Sequence, residues 1–121
     1  MECATQSAAL RLAHLSLGVT DIDASEAFYR DVLGLSTQRD GGEVHVRWQG
    51  LSLILISRPP AQRGKFHFGF MVATPADVDA WAERIRDGGV NIMSGPLGEG
   101  AERKIYFVDP DNYEIEIYCE G

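Results

Sequence analysis

The sequence predicts an α+β domain made of two copies of one small module, each a strand, a helix and three further strands. Two observations carry this. Strands of period-two alternation and helices with local start and stop signals follow one another in the same order in both halves. The halves also align: His14 and His67 stand 53 residues apart, and at that offset Val19 matches Val72, Ala27 matches Ala80 and Phe28 matches Trp81. The last strands align at a larger offset, where placing Gly50 on Asn112 pairs Leu53 with Ile115 and Ile54 with Glu116. A short tail, 1–9, then precedes a single domain, 10–121, composed of modules 10–58 and 65–119.

The elements follow in order. Between Leu10 and Val19, the residues Ala13, Leu15, Leu17 and Val19 point one way, and His14, Ser16 and Gly18 the other, as in a half-buried strand. A helix is expected next, with Asp23 as N-cap, Glu26 as its reciprocal partner and Ile22 stapled against Ala27. Phe28, Val32 and Leu35 fall near one face, and Gly34 is a natural stop. Val44 to Trp48 alternates as a strand, and Leu51 to Ser57 is apolar enough to be buried on both faces. Arg58-Pro59-Pro60 through Gly64 reads as the connector, because prolines end a ladder.

The pattern then restarts. Phe66, Phe68, Phe70 and Val72 share one strand face, and His67, Gly69 and Met71 the other. Thr74 caps a helix, Pro75 opens its first turn and Asp77 favours its positive end. Val78, Trp81, Ala82 and Ile85 have helical spacing, and Gly88-Gly89 end the helix. Val90 to Met93 is expected as a short strand and Ser94 to Ala101 as a Gly-rich loop, of which Gly98-Glu99-Gly100 can cover a cavity. Lys104–Val108 and Tyr113–Cys119 are strands joined by the Asp109-Pro110-Asp111-Asn112 turn. Trp48 and Trp81 read as core.

Composition narrows function by exclusion. With 11 Lys+Arg against 18 Asp+Glu the net charge is −7, and no basic stripe exists to displace counterions from nucleic acid or to sit on an anionic membrane. No apolar run reaches the roughly 20 residues of a spanning helix. The start of the chain has Glu2 and no hydrophobic stretch, so it does not read as a signal peptide. Cys3 and Cys119 are then expected as reduced thiols in the cytoplasm.

Three residues can carry chemistry. His14 and His67 each lie on the first strand of a half, away from the apolar stripe, and Glu116 lies on the less apolar face of the last strand. Taken singly, each is an ordinary polar-face residue. Two histidines at matching places of a repeat suggest more. Two imidazoles and a carboxylate, with coordination positions left open, suit Fe(II), Mn(II), Ni(II) or Zn(II) and leave room for a small-molecule substrate.

The segments HLSLGVTDIDASEAFYRDVLGL, FHFGFMV and YFVDPDNYEIEIY resemble the vicinal oxygen chelate superfamily, over nearly the whole chain from Leu10 to Tyr118. That group holds glyoxalase I, the extradiol dioxygenases, the fosfomycin-inactivating thiol transferases and the bleomycin-resistance proteins. The resemblance implies paired βαβββ modules forming cupped sheets with helices on the outer face. It implies a divalent metal held by His14, His67 and Glu116, with Ser16 and Tyr106 on the substrate. Glu116 and Tyr106 are then the catalytic candidates. Glyoxalase I has a fourth ligand where this chain has Ile54, so a three-ligand site is expected. The lysine- and serine-bearing loop of the fosfomycin enzymes is replaced by Gly95 to Gly100, which leaves Arg103 and Lys104 as possible cationic partners of an anion. The dioxygenases carry a further acid/base histidine. Here only His45 can stand in for it, and His45 reads more simply as a solvated strand residue.

The resemblance also implies a homodimer. In the transferase and glyoxalase members His14 of one chain would join His67 and Glu116 of the other, whereas in the dioxygenase arrangement the site lies within one chain. The expected function is a metal-dependent lyase, dioxygenase or thiol transferase. The alternative is a metal-free binding protein of the bleomycin-resistance type, which the acidic balance suits.

Overall fold

Each half of the chain folds into a four-stranded mixed sheet with one helix laid across it. In a computed structural model, residues 9–60 and 66–120 are described. Cys3 with the rest of the expected tail to residue 8, connector residues 61–65 and the Trp48 side chain lie outside the described set. The first half runs β1 (His14–Val19), α1 (Ile22–Ala27) continuing as a wide π turn (Phe28–Val32), β2 (Ser36–Asp40), β3 (Glu43–Trp48) and β4 (Leu51–Ser57). The second half runs β5 (His67–Met71), α2 (Pro75–Asp87), β6 (Ile92–Leu97), β7 (Arg103–Val108) and β8 (Glu114–Cys119). Strand order is β1-β4-β3-β2 in one sheet and β5-β8-β7-β6 in the other. In each, the first and last strands pair in parallel and the other pairs are antiparallel. This is the duplicated α+β plan read from the sequence.

Local chemistry explains the helix ends. Thr74 accepts a hydrogen bond from the Asp77 amide at 3.2 Å and the Asp77 carboxylate accepts from the Thr74 amide at 3.2 Å, a reciprocal cap with Pro75 behind it. In the first helix the N-cap is Asp21, whose carboxylate accepts the Ala24 amide at 3.1 Å, and not Asp23 as the sequence suggests. Asp23 and Glu26 are instead engaged by Arg39 on β2, and Glu26 also accepts Thr37 Oγ1 at 3.0 Å. Gly34 ends the turn at φ +71°, a left-handed conformation that glycine adopts without strain.

Three strands differ from expectation. β2 was not marked by alternation, because Ser36, Gln38 and Asp40 on one side and Thr37 and Arg39 on the other are all polar. β6 extends to Leu97 through residues expected as loop; as an edge strand with register shifts it tolerates Pro96. β4 is buried on one face only: Leu53 and Leu55 are enclosed, while Ile54 and Ile56 are half-buried on the other side.

The enclosed faces of both sheets and both helices form one core. It includes Leu17, Val46 and Leu55 from the first sheet, Ile105, Phe107 and Ile115 from the second, and Phe28, Tyr29, Val78 and Ile85 from the helices. Phe28 meets Phe107 across the halves with ring centroids 6.4 Å apart. Trp81 packs against this core from a half-buried position, as its helical spacing suggests. The β7–β8 turn clasps the first half. Asp109, buried, accepts the Tyr29 hydroxyl at 2.7 Å and the Asp111 and Tyr113 amides at 2.9 Å each. The Tyr113 hydroxyl donates to the Gly18 carbonyl at 2.8 Å, and the Thr20 amide donates to the Asp111 carboxylate at 3.1 Å. None of the described helices is long and apolar enough to cross a membrane.

Candidate metal centre

The polar candidates all face away from the core. Strand side chains alternate sides, so the register of the second sheet lays its open face out as a grid. His67 stands beside Glu114 and, on β7, Val108; Gly69 beside Glu116 and Tyr106; Met71 beside Tyr118 and Lys104. His67 and Glu116 are therefore diagonal neighbours on adjacent strands, and Tyr106 flanks Glu116 from the far side. Glu116 and Tyr106 are half-buried and His67 is exposed.

Gly69 creates the space at the centre of this grid. A β-carbon there would come within 3.3 Å of the Glu116 carbonyl oxygen and the Tyr118 ring and 3.4 Å of the Glu116 β-carbon. With no side chain at 69, the carboxylate has a recess on its histidine side. Two imidazoles and one carboxylate are the right donors for a borderline divalent metal, and this recess is where His67 and Glu116 would share one. The residues fit the group in chemistry. A fourth protein ligand is absent at Ile54, which is apolar and half-buried.

His14 lies elsewhere. It is exposed at the start of β1, on the open face of the first sheet, with Ser16 two residues on. Among the described residues no three metal-binding side chains gather within a single chain. The chain thus brings together His67, Glu116 and Tyr106, and separately His14 and Ser16. Both histidines stand on edge strands, β1 and β5.

Charge placement is selective. Arg103 is tied to Asp79 at 2.7 Å and to the Gly98 carbonyl at 2.9 Å, so it is not free to meet an anion. Lys104 stands with its Nζ 5.9 Å from the Tyr106 ring centroid. His45 is not solvated as expected. Its side chain is only 14% exposed, Nδ1 lies 3.3 Å from Arg47 Nη2, and Nε2 lies 3.4 Å from Glu43 Oε1 without a hydrogen bond. Burial pushes the Asp109 carboxyl above the ordinary carboxylate value, against the three hydrogen bonds that favour its charge. Burial, then the adjacent Asp109, hold the Tyr29 phenol neutral far into the alkaline range. The clasp formed by these two residues escaped sequence reading. The one signal was a tyrosine within an otherwise apolar helix face, and its partner lies 80 residues away.

Residues 11–117 match the family model described as Glyoxalase/Bleomycin resistance protein/Dioxygenase superfamily. The chain belongs to this superfamily. It is 30% identical over 121 residues to the glutathione transferase FosA of Serratia marcescens, covering 88% of this chain and 79% of that one. It is 28% identical to a manganese-dependent 2,3-dihydroxybiphenyl 1,2-dioxygenase of Geobacillus genomosp. 3, covering 91% of this chain but 36% of that longer protein. The crystal structure of a glyoxalase/dioxygenase from Nostoc punctiforme superposes with a TM-score of 0.78 at 26% identity, over 92% of this chain and 91% of the other. Members of the superfamily with transferase and dioxygenase activities thus share this fold and general class.

Proposed function

We infer that this chain is a metal-dependent enzyme that chelates a small oxygen-bearing substrate, with His14, His67 and Glu116 as the metal ligands. The observation that carries the reading is the recess at Gly69, which leaves the Glu116 carboxylate open toward His67 on a face with Tyr106 alongside. The third donor would come from a second copy. β1 and β5 each stand at the edge of their sheet, and edge-to-edge association of two copies would carry His14 of one to His67 of the other.

In this reading the metal, when bound, supplies a Lewis acid that stabilises negative charge developing on a substrate oxygen. The chain's own groups do the rest. Tyr106 donates its phenol proton in a hydrogen bond to a substrate oxygen, and Ser16 orients the substrate from the His14 side. Core-facing Ile105 and Phe107 fix the β7 backbone that aims Tyr106. Lyase, dioxygenase and thiol-transferase chemistry all begin from such a chelate.

Elemental analysis of protein purified without added metal tests the reading. About one Fe, Mn, Ni or Zn per chain in the parent, lost in His67→Ala, is the expected result. No metal, together with no thermal shift on adding any, would overturn it. That outcome would favour the metal-free binding reading, for which the net charge of −7 would suit a cationic ligand. Trials with methylglyoxal–glutathione, catechols and thiol–epoxide pairs then separate the reaction types.

A further inference from the structure

A cleft of about 560 Å³ opens beside Glu116, at the end of the second sheet away from His67, and Leu97, Lys104 and Tyr118 line it. Lys104 and Tyr118 are register partners on β7 and β8. Tyr118 is two residues beyond Glu116, so Lys104 lies about 7 Å along the strands and about 5 Å across them from the candidate ligand. A chelating ligand with a short acyl chain spans that offset.

The lysine is available. Among the described residues no carboxylate lies within 4.0 Å of its Nζ, which stands over the Tyr106 ring. Three arginines are committed to carboxylates: Arg103 to Asp79, Arg39 to Glu26 and Asp23, and Arg30 to Asp31. In a chain of net charge −7, an uncommitted ammonium on the open face beside the candidate centre is a specific attractor for an anion. Its strength is limited. Glu102, Glu116 and Glu120 also line the cleft, so a dianion would meet more repulsion than a single charge does.

We propose that Lys104 is the specificity-determining residue of this site and that it seats one carboxylate of a monoanionic substrate whose other end carries the chelating oxygens. This rests on the metal-chelation reading. The carboxylate is held by a charge-assisted hydrogen bond from Nζ, and no covalent step is involved. The chelating oxygens fix one end of the ligand and Lys104 the other, so the reacting carbon is held between them.

Calorimetric titration of the protein carrying the metal with which it purifies tests this, using acetohydroxamate, the carboxylate-bearing succinate monohydroxamate and its phosphonate counterpart. The parent is expected to bind the carboxylate ligand about fivefold tighter than acetohydroxamate, and the phosphonate no tighter than the carboxylate. Lys104→Met should abolish the preference without changing acetohydroxamate affinity, which shows that the variant is folded, and Lys104→Arg should restore it. Persistence of the preference in Lys104→Met, or its absence in the parent, overturns the assignment while leaving the metal reading intact. Failure of every hydroxamate to bind overturns both.

Discussion

Replacing Tyr29 by Phe removes one oxygen from the middle of the molecule and tests the clasp between its halves. Tyr29 is fully enclosed and donates to Asp109 Oδ2 at 2.7 Å. The other carboxylate oxygen keeps the Asp111 and Tyr113 amides. The variant therefore leaves one buried, charged acceptor atom without its donor. A hydrogen bond to a charged group contributes about 1.5–3 kcal/mol net, and the phenyl ring preserves the packing, so the loss should be about 2 kcal/mol. At about 2.1 cal/mol/K of unfolding entropy per residue, 121 residues give roughly 0.25 kcal/mol/K, and Tm should fall by about 8 °C. Differential scanning calorimetry at neutral pH reads this directly. A shift under about 2 °C would mean that Asp109 Oδ2 is satisfied without Tyr29 and that the hydroxyl does not hold the clasp.

Three further predictions follow from the same physics. Burial raises the Asp109 carboxyl above its usual 3.8, so its contribution to stability is present below about pH 4 and is lost as pH rises through the folded-state value. The Tm of the parent minus that of Asp109→Asn should therefore fall between pH 4 and pH 7, and a rise would contradict the burial argument. Thr74→Ala removes the α2 cap and should lower stability by about 1 kcal/mol in denaturant titration, with the slope unchanged. Gly69→Ala places a methyl against Glu116 and Tyr118 and should weaken metal binding about tenfold in chelator competition; unchanged affinity would show that the space at Gly69 does not serve the metal.

The readable parts of the sequence are those written locally. Thr74, Pro75 and Asp77 state the start of α2 within one turn, and the core alternation of β1, β7 and β8 is plain because one face of each is apolar. Where a distant partner decides, the reading slips. The cap expected at Asp23 is formed by Asp21 instead, because Arg39 arrives from another strand to claim Asp23. β2 is hidden because an edge strand with two polar faces carries no period. His45 reads as a solvated strand residue, yet its charged neighbours Glu43 and Arg47 close over its ring.

The candidate site divides the same way. His14 and His67 stand out because a duplicated module puts them at matching places, whereas Glu116 matches Ile54 and joins them only through the family resemblance. Gly69 is a silent position until the register sets it opposite Glu116. Whether the three donors meet within one chain or between two depends on how sheet edges associate, and no local pattern encodes that. In the single chain the first and second sheets keep their open faces, with His14 on one and His67 on the other.

If the proposed metal site is shared between copies, subunit mixing rebuilds it from two defective chains. His14→Ala and His67→Ala chains are each purified, then unfolded and refolded together, and the metal content of the mixed dimer is measured. The expected result is about one metal per mixed dimer and none in either parent variant, because one pairing restores His14, His67 and Glu116 together. A mixed dimer without metal, alongside a wild-type protein that binds it, would contradict the shared site.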